Sequence, residues 1–180
     1  MVKAVNLALE LLFAYGEDPE MAWQPLAYVT GASTDQIDSG TFDGLKFLNV
    51  EFTAKATAGT INSVFTFNSI TTQSYAIREQ VNGGSGSTNL NLYNTDNLSG
   101  TTNGTDGQVY VNCFISNVSG YEKLFWSWGL DNTGSGSGSV PDRKTISGHF
   151  IGTDLITSIQ SNNGGTGDYQ TATLSVYGSD

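Results

Sequence analysis

From Leu45 onward the chain alternates between apolar and polar positions with a period of two. Leu48, Val50 and Phe52, continued by Ala54 and Ala56, fall on one side, and Leu45, Phe47, Asn49 and Glu51 on the other. A period of two marks a strand with one buried face, and the first set is assigned to the core. Ile61–Asn68 alternates again, with Ile61, Ser63, Phe65 and Phe67 on one side, and Tyr75–Val81 repeats the pattern more weakly. A long polar stretch, Asn82–Gly107, follows, and Leu90, Leu92 and Tyr93 predict one short strand inside it. Further strands are predicted at Gln108–Asn117, Glu122–Leu130, Lys144–Ile151 and Ala172–Tyr177, with a short one at Leu155–Gln160. Gly-rich and Asn-rich segments separate them, which is turn chemistry.

The start of the chain has a different rhythm. Val2, Val5, Leu9, Leu12 and Phe13 recur at helical spacing, and Gly16 is a suitable stop. This predicts a short helix whose apolar stripe docks on the domain itself or on a neighbouring subunit or assembly. Pro19 and Pro25 interrupt any continuation, and Tyr28-Val29 predicts a short edge strand. Many short strands without interleaved helices predict an all-β fold, a two-sheet antiparallel jelly-roll-like sandwich with a short N-terminal helix. Residues 1–22 are read as the helix and docking segment, and residues 23–180 as the sandwich domain.

Composition fits one folded domain. Gly, Ser, Thr and Asn make up 77 of the 180 residues, yet aromatics reach 11% and charged residues only 13%, which is not the signature of a disordered chain. The formal net charge is −10, with no Lys or Arg between Arg78 and Lys123 and none after Lys144. Binding to nucleic acid or to anionic lipid needs clustered positive charge, so neither is expected as a partner. No apolar run reaches the length of a membrane span. Asn6 and Glu10 interrupt the N-terminal apolar run, so no targeting signal is read there.

Candidate chemistry is sparse. Cys113 is the only cysteine and falls in phase with Val109 and Val111, which reads as a small buried hydrophobe. His149 is the only histidine and sits inside a predicted strand, which reads as a structural or interface residue. Asp35, Asp38 and Asp43, and separately Asp96, Asn97, Asn103 and Asp106, offer oxygen ligands, but neither group has the calcium-loop pattern. They read as solvated turn acids, so no metal and no other cofactor is expected. A carbohydrate-active enzyme would need a loop-borne acid pair drawn from Asp96, Asp106 and Asp131. Leu124, Trp126 and Trp128 share one side of a predicted strand. The reading favoured for this row is the core or a subunit interface. The alternative is an exposed row that stacks on sugar rings.

Several segments together resemble a β-sandwich domain that recurs in small virion proteins of tailed bacteriophages. They are Phe42-Asp43-Gly44-Leu45-Lys46-Phe47-Leu48-Asn49-Val50; Phe65-Thr66-Phe67-Asn68 followed by Tyr75; Gly120-Tyr121-Glu122-Lys123-Leu124; Ile156-Thr157-Ser158-Ile159; and the closing Thr173-Leu174-Ser175-Val176-Tyr177-Gly178. The resemblance spans residues 23–180. The N-terminal segment is outside it, and the insert at Asn94–Gly107 departs from the shorter forms. It implies a non-enzymatic structural protein on the virion surface, a capsid decoration or cement protein; the alternative is a receptor-binding tail-fibre or spike tip or a carbohydrate-binding module. The implied partners are other virion proteins (the major capsid protein or tail and fibre proteins) and copies of the chain itself, a trimer being favoured, with a host surface glycan as a further possibility. No catalytic residue comes with the resemblance.

Overall fold

The computed structural model describes residues 23–56, 59–96, 98–99, 102–103, 107–132 and 140–180. The predicted N-terminal helix, with Val2, Val5, Leu9, Leu12 and Phe13, lies outside the described residues. Within them the chain is all β, and no helix is present.

Thirteen strands follow one another: β1 (Gln24–Gly31), β2 (Gln36–Asp38), β3 (Phe47–Ala56), β4 (Thr60–Ile61), β5 (Ser63–Phe67), β6 (Tyr75–Val81), β7 (Ser87–Leu92), β8 (Thr102–Asn103), β9 (Gln108–Ser116), β10 (Lys123–Asn132), β11 (Asp142–Phe150), β12 (Ile159–Asn163) and β13 (Tyr169–Ser179). Eight of them form one antiparallel sheet in the order β1-β13-β3-β9-β10-β11-β6-β7, three form a second in the order β2-β12-β5, and β4 pairs with β8. A jelly roll divides its strands more evenly between two sheets. Here one sheet is much wider than the layer that covers it.

The core lies between the two sheets. Leu48, Val50, Phe52, Ala54 and Ala56 of β3 point inward, as do Val109, Val111, Cys113 and Ile115 of β9. These are the sets that the alternation assigns to the core. Ile61, Ser63, Phe65 and Phe67 are fully buried from the facing layer. Phe67 meets Phe125 edge-on at 5.8 Å and Phe150 at 5.6 Å between ring centroids, while Phe52 meets Phe65 at 6.0 Å. Such edge-to-face pairs add about 0.5–1.5 kcal/mol each beyond the area they bury. The Tyr75 hydroxyl accepts the Phe67 backbone N–H at 2.8 Å, and burial pushes its pKa up to about 12.

The polar stretch after Asn82 is partly built into this core. Leu98 is fully buried, Thr95 Oγ1 accepts the Phe65 N–H at 2.8 Å, and the Leu98 N–H donates to the Ser63 carbonyl. The segment therefore runs alongside β5 and passes over Gly129, where a Cβ would strike the Leu98 and Ser99 backbone.

The short strand predicted at Leu155–Gln160 begins at Ile159 instead. The four residues before it are held by side-chain amides. Asn117 donates to the Leu45 and Ile156 carbonyls and accepts the Ile156 N–H at 2.7 Å. Asn68 donates to the Leu155 carbonyl and accepts the Thr157 N–H at 2.8 Å and the Ser158 N–H at 3.2 Å. Two asparagines thus take the place of a ladder partner. Asn117→Ala is expected to leave the buried Ile156 N–H and carbonyl and the half-buried Leu45 carbonyl without this partner and to cost about 3 kcal/mol, since each orphaned buried group costs about 1–3 kcal/mol. Urea unfolding measures this, and a loss below about 1 kcal/mol would show that the amide does not pin the segment.

Candidate functional site on the outer face of the large sheet

Along β10 the inward positions are Lys123, Phe125, Ser127, Gly129 and Asp131, all buried. Leu124, Trp126 and Trp128 therefore point out, which corrects the core reading of this row. Leu124 is 64% exposed, Trp126 is 46% exposed and Trp128 is half-buried. The inward face reads as polar in sequence because it carries Lys123. That ammonium is buried only because the carbonyls of Val118, Tyr121 and Thr153 accept its three protons at 2.7, 2.6 and 3.0 Å. Desolvation still holds its pKa below the usual lysine value, with the Asp154 charge opposing.

Cross-strand register builds a surface around the tryptophans. Trp126 lies opposite Phe114 of β9 and Ser147 of β11, and Phe114 lies opposite Asn49 of β3. Trp128 lies opposite Asn112 and Thr145, and Asn112 lies opposite Glu51. Leu124 lies opposite Ser116 and His149, and Ser116 lies opposite Phe47. The Phe114 and Trp126 rings are near-parallel with centroids 6.3 Å apart, Trp23 meets Phe114 edge-on at 6.1 Å, and Tyr110 packs on Trp128 at 5.1 Å. Trp23, Phe47, Phe114, Leu124 and Trp126 line an open apolar groove of about 300 Å³ at one end of the face. A contiguous exposed group of large apolar side chains marks an interaction surface in a folded domain, whereas scattered ones do not.

Trp23, Phe47 and Phe114 were not singled out from the sequence as site residues. Their signal is the phase of the strand, since Phe47 is out of phase with Leu48 and Phe114 with Cys113. Both strands carry large apolar residues on their outer side, which a one-sided sheet does not require.

Of the titratable groups, His149 and Glu51 border this face, and Cys113 and the turn acids lie away from it. Cys113 is buried in the core, and burial pushes its thiol pKa up. His149 Nε2 lies 2.7 Å from a Glu122 carboxylate oxygen at the surface. Asp38 is occupied by the Gly40 N–H and the Gln160 amide, each at 2.8 Å. Asp35 is paired with Asp168, whose carboxyl pushes it up by hydrogen bonding and by like charge. Asp96 accepts the Asn89 amide at 3.0 Å. Asn97 and Asp106 lie outside the described residues, as do the side-chain surroundings of Asn103. Among the described residues no three His, Cys, Asp or Glu side chains converge as a metal site.

Among the described residues Asp131 is the carboxyl with a large upward displacement. It is buried on the inner face, its Oδ1 has no hydrogen-bond partner, and burial, with Asp142, pushes its pKa up to about 6 while the Lys144 ammonium pulls the other way. Lys144 is itself buried and pairs with Glu79 at 2.5 Å. The groups acting on Asp131 are thus Asp142 and Lys144, and Asp96 is not among them.

No family model and no curated protein matches the chain. Among solved structures it is similar to the Clostridium perfringens CspB protease at 12% identity, over 86% of this chain and 26% of that one, with a TM-score of 0.29. The chain thus spans about a quarter of that protein. It is similar to the CBM2 module of the evolved Dit of Lactobacillus casei BL23 phage J-1 at 11% identity, over 93% of this chain and 86% of that one, with a TM-score of 0.20. A functionally unknown protein from Saccharomyces cerevisiae is matched at 9% identity, over 82% of this chain and 95% of that one, with a TM-score of 0.15. Likenesses at these TM-scores carry no argument about function.

Asp131 yields a pH test. A carboxyl whose folded pKa of about 6 lies above its ordinary 3.8 favours the folded state when protonated, so its ionisation costs stability as pH rises through that window. Asp131→Asn is therefore expected to raise stability at pH 7.5 by about 3 kcal/mol, at about 1.4 kcal/mol per pKa unit, with the gain vanishing below pH 4. Thermal melting of both proteins across pH checks it. A gain that is equal at all pH values would assign the effect to packing.

Proposed function

We propose that this chain is a non-enzymatic structural protein on the outside of a phage virion, a capsid decoration or cement protein seated on another virion protein through the outer face of its large sheet. The observation that carries the reading is the apolar groove of Trp23, Phe47, Phe114, Leu124 and Trp126. A face of this kind leaves large aromatic surface in water unless a partner covers it, and burying one such side chain is worth about 1.5–3 kcal/mol. Trp23, which lines the groove, follows in sequence on the docking segment read from Val2, Val5, Leu9, Leu12 and Phe13. The sandwich and the hallmark strands of the virion-protein resemblance support the same assignment.

A second reading has its own observation. Trp126 and Trp128 are flanked by the amides of Asn49 and Asn112 and the hydroxyls of Thr145 and Ser147. Aromatic rings bordered by neutral hydrogen-bonding groups suit the faces and edges of a sugar ring, which favours a receptor-binding tip that contacts host glycans.

Two measurements separate these readings. Quantitative mass spectrometry of purified particles is expected to find hundreds of copies per particle, with a few to some tens placing the protein on fibres or the tail instead. Absence from particles would overturn both virion assignments. In rebinding to particles stripped of the protein, Trp126→Ser is expected to weaken attachment at least tenfold with an unchanged melting temperature, an anchor residue being worth about 1.4 kcal/mol or more. Unchanged rebinding, together with glycan binding that Trp128→Ala removes, would favour the second reading.

A further inference from the structure

The large sheet is open, so it has two edges, β1 and β7. Exposed edges pair with other strands unless something blunts them, and proteins blunt them with charges, prolines, bulges or irregular backbone. β7 is blunted. Its register against β6 shifts between Tyr75 and Ile77, and Asn91 sits in the left-handed region at φ 55°.

β1 is protected at only one end. Pro25 and a register shift between Pro25 and Ala27 disturb its start, but Ala27–Gly31 pairs regularly with Val176–Ala172 of β13. No charged residue occurs from Trp23 to Thr34, so the edge carries no repelling side chain. On its inner side Ala27 and Val29 are only partly covered by the core. On its outer side Tyr28 is 71% exposed. Among the described residues no strand lies against the free side of β1.

We infer that β1 is a pairing edge for a second copy of this chain, the two β1 strands running antiparallel about a two-fold axis at Val29. The free edge of the regular Ala27–Gly31 run supplies backbone donors and acceptors that no described strand meets, and antiparallel self-pairing satisfies both copies with one surface. Residue 28 of one copy then faces residue 30 of the other, and the half-covered Ala27 and Val29 side chains are closed over. The two large sheets become one continuous sheet whose aromatic outer faces lie side by side. This inference does not rest on the virion reading, and it favours a dimer over the trimer that the resemblance implies.

The test uses the full chain in light-scattering and sedimentation measurements from low to high micromolar concentration. The native chain is expected at twice 19.1 kDa. Tyr28→Lys/Thr30→Lys and Tyr28→Glu/Thr30→Glu, each alone, are expected at 19.1 kDa, and their equal mixture is expected to regain the doubled mass. A native monomer, or charged variants that remain dimeric, would overturn the inference. Near-UV circular dichroism confirms that the variants fold. Should one unfold, amide exchange on the native chain decides, because protection of Ala27–Gly31 must rise with concentration. Protection that is strong but independent of concentration would mean that the chain's own residues cover the edge.

Discussion

A three-stranded sheet lies against an eight-stranded one, and the contact between them is made by a small number of rings. Phe67 sits among Tyr75, Phe125 and Phe150, and Phe52 sits between Phe65 and Tyr169. The facing layer that supplies Phe65 and Phe67 can cover only one face of the wide sheet. The rest of the architecture follows from this mismatch. Loop segments fill out the thin layer, with Leu98 buried beside β5 and the Asn68 and Asn117 amides holding the residues before β12. Among the described residues nothing covers the outer face, and no strand pairs with the free side of β1.

The parts legible in the sequence are those where one strand carries one clear phase. β3 and β9 are such strands, and their inward sets are the ones the alternation selects. The short edge strand around Tyr28 is present and longer than predicted. The large sheet's aromatic face was harder to read, because both sides of β10 carry bulky residues and the buried side also carries Lys123. A buried ammonium becomes acceptable only when three carbonyls from two separate loops meet it, and no local pattern announces that meeting. The start of β12 was misplaced for a related reason. Side-chain amides of residues about 40 and 90 positions away replace the backbone ladder there.

The aromatic face and the uncharged edge belong to the same sheet, and both proposals, docking on a partner and pairing with a second copy, rest on that sheet. The central positions of the face are aromatic, amide or hydroxyl, with Glu51, Arg78 and His149 flanking them. Asp131 and Cys113, both with raised pKa values, lie on the inner face and serve the core or its margin.

Hydroxyl-radical footprinting of the protein free and on particles tests the central claim most directly. The account predicts that Phe114, Leu124 and Trp126 react readily in the free protein and become protected on the particle, while Tyr121, which is exposed and outside the groove, changes little. Equal reactivity of the groove residues in both states, with protection appearing elsewhere on the domain, would contradict it.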